Sequence, residues 1–231
     1  MIENLDFETF LYISKSKYQI FVYDKNNSKN LYNEEIENID EIELDFLSKF
    51  LDDNIYKIEK MIKKFVRNII LIIEDDKVLE FSISLKKKNY EKNIDQKDLE
   101  NSLIEIKDIF RENYKDQILM HMVIVNNDKN ETNFQLNDEN NIVNYLFLEV
   151  NFISIPNNFT FYFDKLLESH QIKISRYMSY NYIKSYTGED STELSVMANK
   201  LKNGLNKNEV QLVSKSVRNR GFFEKFFQLF S

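Results

Sequence analysis

Cysteine is missing from these 231 residues, which excludes a disulfide framework and any thiolate metal site. Only two histidines occur, His121 and His170, so no cluster of Cys and His exists for zinc. Glycine appears three times and proline once. Three glycines cannot build a phosphate-cradling loop of the Walker or Rossmann kind, and no Gly-x-Ser-x-Gly elbow is present. Asn, Lys and Ile abound, as coding from AT-rich DNA would give, so the scarcity of turn residues says little about where turns fall. No run reaches the ~18–20 apolar residues of a bilayer span. The opening stretch MIENLDFETFLYIS is acidic and lacks the basic-then-apolar order of a signal peptide.

The balance that remains is globular: 42% hydrophobic and 30% charged residues, with a net charge of −7. An acidic chain of this kind is not expected to present a general nucleic-acid surface, although a local basic patch is compatible with it.

Periodicity predicts mixed α/β or α+β structure. FLYIS and YQIFVYD read as a hairpin joined through Lys15-Ser16-Lys17, with NLYNEEIENI as a third strand. Apolar residues at 44, 47, 50, 51, 55, 58, 62 and 65 predict a helix packed by one face. RNIILIIE reads as a buried strand, with KVLEFSISL as its neighbour across an Asp75-Asp76 turn. The helix over IDQKDLENSLIEIKDIFREN has Asp95 as N-cap, Asp98 in its first turn, and Leu99, Leu103, Ile106 and Phe110 as its stripe. QILMHMVIV is a strand, with ETNFQLN as its expected partner. NYLFLEVNFISI is a strand ending at Pro156, FTFYFDKLLESHQ a helix, IKISRYM a strand, and Tyr180–Tyr186 a short helix. A short helix near Leu194–Leu201 comes next, then a polar linker.

Chemistry is sparse. His121 lies within an apolar strand and is expected to be structural. His170 ends a helix, where a cation complements the dipole. Asp128, Glu131, Asp138 and Glu139 in NNDKNETNFQLNDEN lack the Gly and terminal Glu of a calcium loop. No catalytic, cofactor-binding or metal-binding residue is assigned, and no enzyme is expected.

The terminus is unusual, with five Phe in the last ten residues. On a helix at about 100° per residue, Phe222, Phe223, Phe226, Phe227, Leu229 and Phe230 fall within an arc of about 160°. Lys215, Arg218 and Arg220 flank it, with Gly221 as a hinge. Two readings stand. The favoured one is an interfacial membrane anchor beyond a polar linker. The other is a C-terminal helix docked on the core of the body.

The order of elements and the tail together resemble the FtsA family, actin-like ATPases of bacterial cell division with a C-terminal membrane-targeting helix. FLYISKSKYQIFVYD is similar to that family's opening hairpin. The stretch from NIDQKDLENSL to RYMSYNYIKSY is similar to its inserted strand–helix–strand–strand subdomain and the strand and helix after it. RGFFEKFFQLFS is similar to the targeting helix. The resemblance implies a first actin-like subdomain over 1–87, rejoined by 172–190, an inserted subdomain over 88–171, a linker over 191–218 and a membrane helix over 219–231. At the family's first phosphate loop, Tyr12 stands in place of Asp and Ser14 in place of Gly. Tyr removes the carboxylate that positions the metal and its water. Ser puts a Cβ where the backbone must approach a phosphate. The second actin-like half, with its second phosphate loop, has no counterpart.

The resemblance therefore implies a non-catalytic adaptor peripheral to the cytoplasmic face of the inner membrane, without a cofactor. It would dock division proteins or further copies through the inserted subdomain, with FtsZ binding in doubt because the second half carries that contact. The alternatives are an actin-like scaffold of a type IV pilus or secretion platform, and a true nucleotide-binding ATPase.

Overall fold

A computed structural model describes residues 6–37, 41–88, 96–125, 145–187 and 193–210. The chain forms two compact units, residues 1–78 with 155–205 and residues 79–154 with 206–231.

In the first unit β1 (Phe7–Ile13), β2 (Lys17–Asp24) and β3 (Lys29–Glu37) form an antiparallel meander. Helix α1 (Leu44–Ile62) leads to β4 (Asn68–Ile73), which lies parallel to β1. Later, α3 (Asn157–Ser169) leads to β8 (Lys173–Ser179), which lies parallel to β4. The sheet order is β3-β2-β1-β4-β8. Central strands covered on both faces need unbroken apolar runs, and FLYI of β1 and IILII of β4 are buried throughout.

The predicted stripe of α1 is buried at Leu47, Phe50, Leu51, Ile55, Ile58 and Ile62, as the spacing requires. No side chain caps its start in the usual way; the buried Tyr18 hydroxyl instead accepts from the Glu43 amide at 2.8 Å. The helix ends at Lys63 in the left-handed region (φ 56°). This turn corrects one expectation: Phe65, placed in the helix stripe by spacing, is 74% exposed. Helix α4 (Tyr180–Lys184) is short and capped by the Ser179 side chain. Helix α5 (Leu194–Lys202) closes with Gly204 at φ 89°. The Leu205 and Gly204 amides turn back to the carbonyls of Lys200 and Leu201, a closure that favours glycine at the left-handed position.

In the second unit, β5 (Leu79–Lys88), β7 (Tyr145–Pro156) and β6 (Gln117–Ile124) form a sheet of order β5-β7-β6, and α2 (Gln96–Asn113) packs against it. The predicted stripe of α2 is buried against Met122, Leu148, Val150 and Phe152. Phe110 and Phe152 stack at 4.9 Å with planes 4° apart, and Phe81 stacks on both.

Three further expectations are corrected. Strand β5 is not the neighbour of β4, because both edges of β4 are taken by β1 and β8. It pairs instead with β7 from Leu79↔Ser154 to Lys88↔Tyr145. That pairing puts the division between units at 78/79 rather than 87/88. Since α3 packs on α1 and β8 of the first unit, the return falls at 154/155 rather than 171/172. Finally, the helix expected near Leu194–Leu201 is present as α5, but residues 193–210 are packed on the folded body and are not part of a linker. Helix α5 buries Met197, Ala198 and Leu201, and Asn199 and Lys202 reach Glu8. Residues 208–210 run antiparallel to β6, with Ile124 N to Asn208 O at 2.9 Å and Val210 N to Met122 O at 2.8 Å. The expected partner strand ETNFQLN and the Asp95 cap lie outside the described residues.

Candidate functional site

In sheets with parallel strands, ligands collect beyond the carboxyl ends of the strands. Here β1, β4 and β8 end at Ile13, Ile73 and Ser179, and the β1–β2 turn falls where the FtsA resemblance puts a phosphate loop. That turn is closed on itself. The Ser14 amide donates to Lys17 O at 3.0 Å. Ser14 Oγ accepts from the amides of Ser16 at 3.3 Å and Lys17 at 3.1 Å. A phosphate nest works by presenting free amides, and three of this turn are already bonded.

Tyr12 is 3% exposed, and its ring lies 5.1 Å from that of Tyr180. Its hydroxyl donates to the Glu74 carboxylate. Burial, reinforced by that bond, pushes the phenol pKa above its ordinary range, so the ring stays neutral. Lys15 pairs with Asp76 at 2.5 Å. The hydrogen bond to Asp76 raises the Lys15 pKa, and that from Lys15 lowers the Asp76 pKa. Asp75 accepts from the Lys77 amide at 2.9 Å, holding the β4–β5 turn.

These residues do not fit a magnesium-bound triphosphate. Three amides of the turn are used, an aromatic ring stands where the resemblance puts a carboxylate, and Asp76 already pairs with the lysine of the turn. Among the described residues no group of three His, Asp or Glu is placed to hold a metal ion. Tyr12 and Ser14 were identified from the sequence. Glu74, Asp76 and Tyr180 were not, because each belongs to a segment far along the chain.

The two histidines have neighbours that the sequence did not indicate. His121 is fully buried, with Nδ1 2.8 Å from Glu209 Oε1, whose side chain is also fully buried. Nothing local in the sequence links these residues across 88 positions. His170 is the residue capping α3, with Nδ1 3.6 Å from Asp52. The proposed membrane-binding residues Lys215, Arg218, Arg220, Phe222, Phe223, Phe226, Phe227, Leu229 and Phe230 lie outside the described residues. So do Asp128, Glu131, Asp138 and Glu139. Among the described residues no helix is long and apolar enough to cross a membrane.

The fold aligns with that of a known structure. A chain of a PilM-PilN type IV pilus biogenesis complex aligns at TM-score 0.50 and 9% identity, over 78% of this chain and 49% of that one. The fold is actin-like. The resemblance to FtsA is met at that level and no finer. Two weaker likenesses have TM-scores under 0.5 and carry no argument. One is the cytoplasmic domain of EpsL, an inner-membrane component of the type II secretion system of Vibrio cholerae, at TM-score 0.41 and 8% identity over 80% of this chain and 61% of that one. The other is a Bacteroides thetaiotaomicron protein with an actin-like ATPase fold, at TM-score 0.31 and 12% identity over 78% of this chain and 55% of that one. The chain thus spans about half the length of the first of these structures and 61% at most. No protein-family model matches it, and no curated protein matches it in sequence.

Proposed function

We propose that this chain is a non-catalytic, actin-like scaffold of an inner-membrane platform of the type IV pilus or secretion kind. It recruits the cytoplasmic segment of a membrane protein and is held to the bilayer surface from the cytoplasmic side by its terminal Phe segment. The fold likeness to the pilus-complex chain carries this reading. The self-closed Ser14–Lys17 turn and the Tyr12 ring support its non-catalytic part. A division adaptor of the FtsA kind shares the fold, so localisation separates the two: polar or dispersed foci fit a pilus or secretion platform, and mid-cell foci fit division.

Two measurements test the reading. Isothermal titration with ATP and magnesium should show no binding tighter than about 100 μM, a threshold of about 5.5 kcal/mol. Tighter binding would contradict this reading of Tyr12 and Ser14 and favour the nucleotide-binding alternative. Deleting Phe222–Ser231 should move most of the protein from the membrane fraction to the soluble one. Each buried Phe contributes about 1.5–3 kcal/mol, offset by the ordering of a short helix. An unchanged membrane fraction would exclude the tail as anchor.

A further inference from the structure

The first unit has a basic edge at the end opposite the closed turn, made by the α1–β4 and α3–β8 connections. Residues 57–67 hold five cations, Lys57, Lys60, Lys63, Lys64 and Arg67, against one carboxylate, Glu59, in a chain of net charge −7. Glu59 is engaged, because its Oε1 accepts from the Val66 amide at 2.9 Å. That bond and the left-handed Lys63 bury Val66 and turn Phe65 outward, 74% exposed. Met61, on the last turn of α1, is 38% exposed.

The second connection is pinned to the first, with Lys173 N donating to Arg67 O at 2.9 Å. Gln171, also left-handed at φ 61°, shapes it. Together they line a cleft of about 650 Å³ whose walls include Phe65, Arg67, His170 and Lys173. Neither Arg67 nor Lys173 has an ion-pair partner among the described residues. His170 Nε2 is buried with no hydrogen-bond partner among them. At 3.6 Å, its Nδ1 is beyond a hydrogen bond from the exposed Asp52. A buried ring nitrogen without a partner is costly, and an anion oxygen would satisfy its N–H.

We propose that this edge docks on an anionic bilayer, with Arg67, Lys173 and His170 around a lipid phosphate and Phe65 inserted among the headgroups. An anion cleft alone would also suit free phosphate or an acidic peptide. A protruding Phe between Lys64 and Arg67 adds what an interface rewards, an apolar side chain flanked by cations. The inference rests on the membrane-platform reading and adds a contact made by the folded body, separate from the terminal segment.

The chain has no tryptophan, so Phe65→Trp in the full chain is a unique reporter. With phosphatidylglycerol vesicles its emission should shift to the blue and be quenched by brominated lipid. Phosphatidylcholine vesicles should need at least about fivefold more lipid for the same shift. Adding Arg67→Ala and Lys173→Ala, both at exposed sites, should weaken the response by a further factor of about five or more, with the circular dichroism melt unchanged. If the protein sediments with phosphatidylglycerol vesicles while the Trp emission does not move, this proposal is overturned and the platform reading stands. If nothing sediments, both fail. A response to inorganic phosphate or to polyglutamate, with none to vesicles, would assign the cleft to those anions and overturn the lipid docking.

Discussion

Glu209→Leu is expected to destabilise the second unit by about 3 kcal/mol, the cost of removing one partner of a fully buried, charge-capable hydrogen bond. Both side chains are fully buried and their contact is 2.8 Å, so the change leaves the His121 imidazole without that carboxylate and out of reach of bulk water. It also loosens residues 208–210, which hold to β6 through backbone bonds at Ile124 and Val210. Urea unfolding of the full chain, combined with hydrogen exchange at the β6 amides, gives the measurement. The double change His121→Leu with Glu209→Leu should recover much of the loss, because an apolar pair removes both polar groups of this buried contact. A single change costing under about 1 kcal/mol, or a double change no better than the sum of the singles, would mean that the pair is not what holds this segment.

Phe152→Ala should cost at least as much, roughly 3–5 kcal/mol, for a different reason. Phe152 is fully buried in β7 and stacks on Phe110 of α2 at 4.9 Å and on Phe81 of β5 at 6.0 Å. One ring therefore joins two strands and the helix that covers them, and its removal leaves a void that three elements cannot collapse into together. Phe152→Leu keeps most of the volume and should cost about half as much. The loss should appear in exchange at α2 amides as well as at the sheet. If α2 stays as protected as in the parent chain, the helix is held by something other than this ring stack.

The helices were largely legible from sequence because their signal is short-range. The stripe Leu99, Leu103, Ile106 and Phe110 recurs at three and four residues, and all four are buried. The same rule failed at Phe65, where periodicity continued beyond a helix that had ended at Lys63. Spacing cannot register a left-handed residue or a carboxylate drawn onto the Val66 amide. The polar stretch 193–210 misled in the opposite sense. Its few apolar residues suggested a short helix and then a linker, yet its polar side chains find partners at Glu8 and His121.

By itself the chemistry of the chain determined which segments are strands and which are helices. It also determined that no glycine stands at the β1–β2 turn, where Tyr12 and Ser14 are. Local periodicity and side-chain size carry that information within a few residues. Only the tertiary structure decided that β5 joins β7 and not β4, that Ser14 consumes the amides of its own turn, and that Glu209 meets His121. It alone brought Arg67, His170 and Lys173 around one cleft. Strand pairing and side-chain partnership depend on which edges are already taken and which groups are left unsatisfied after collapse. Those are properties of the whole fold and not of any window along the chain.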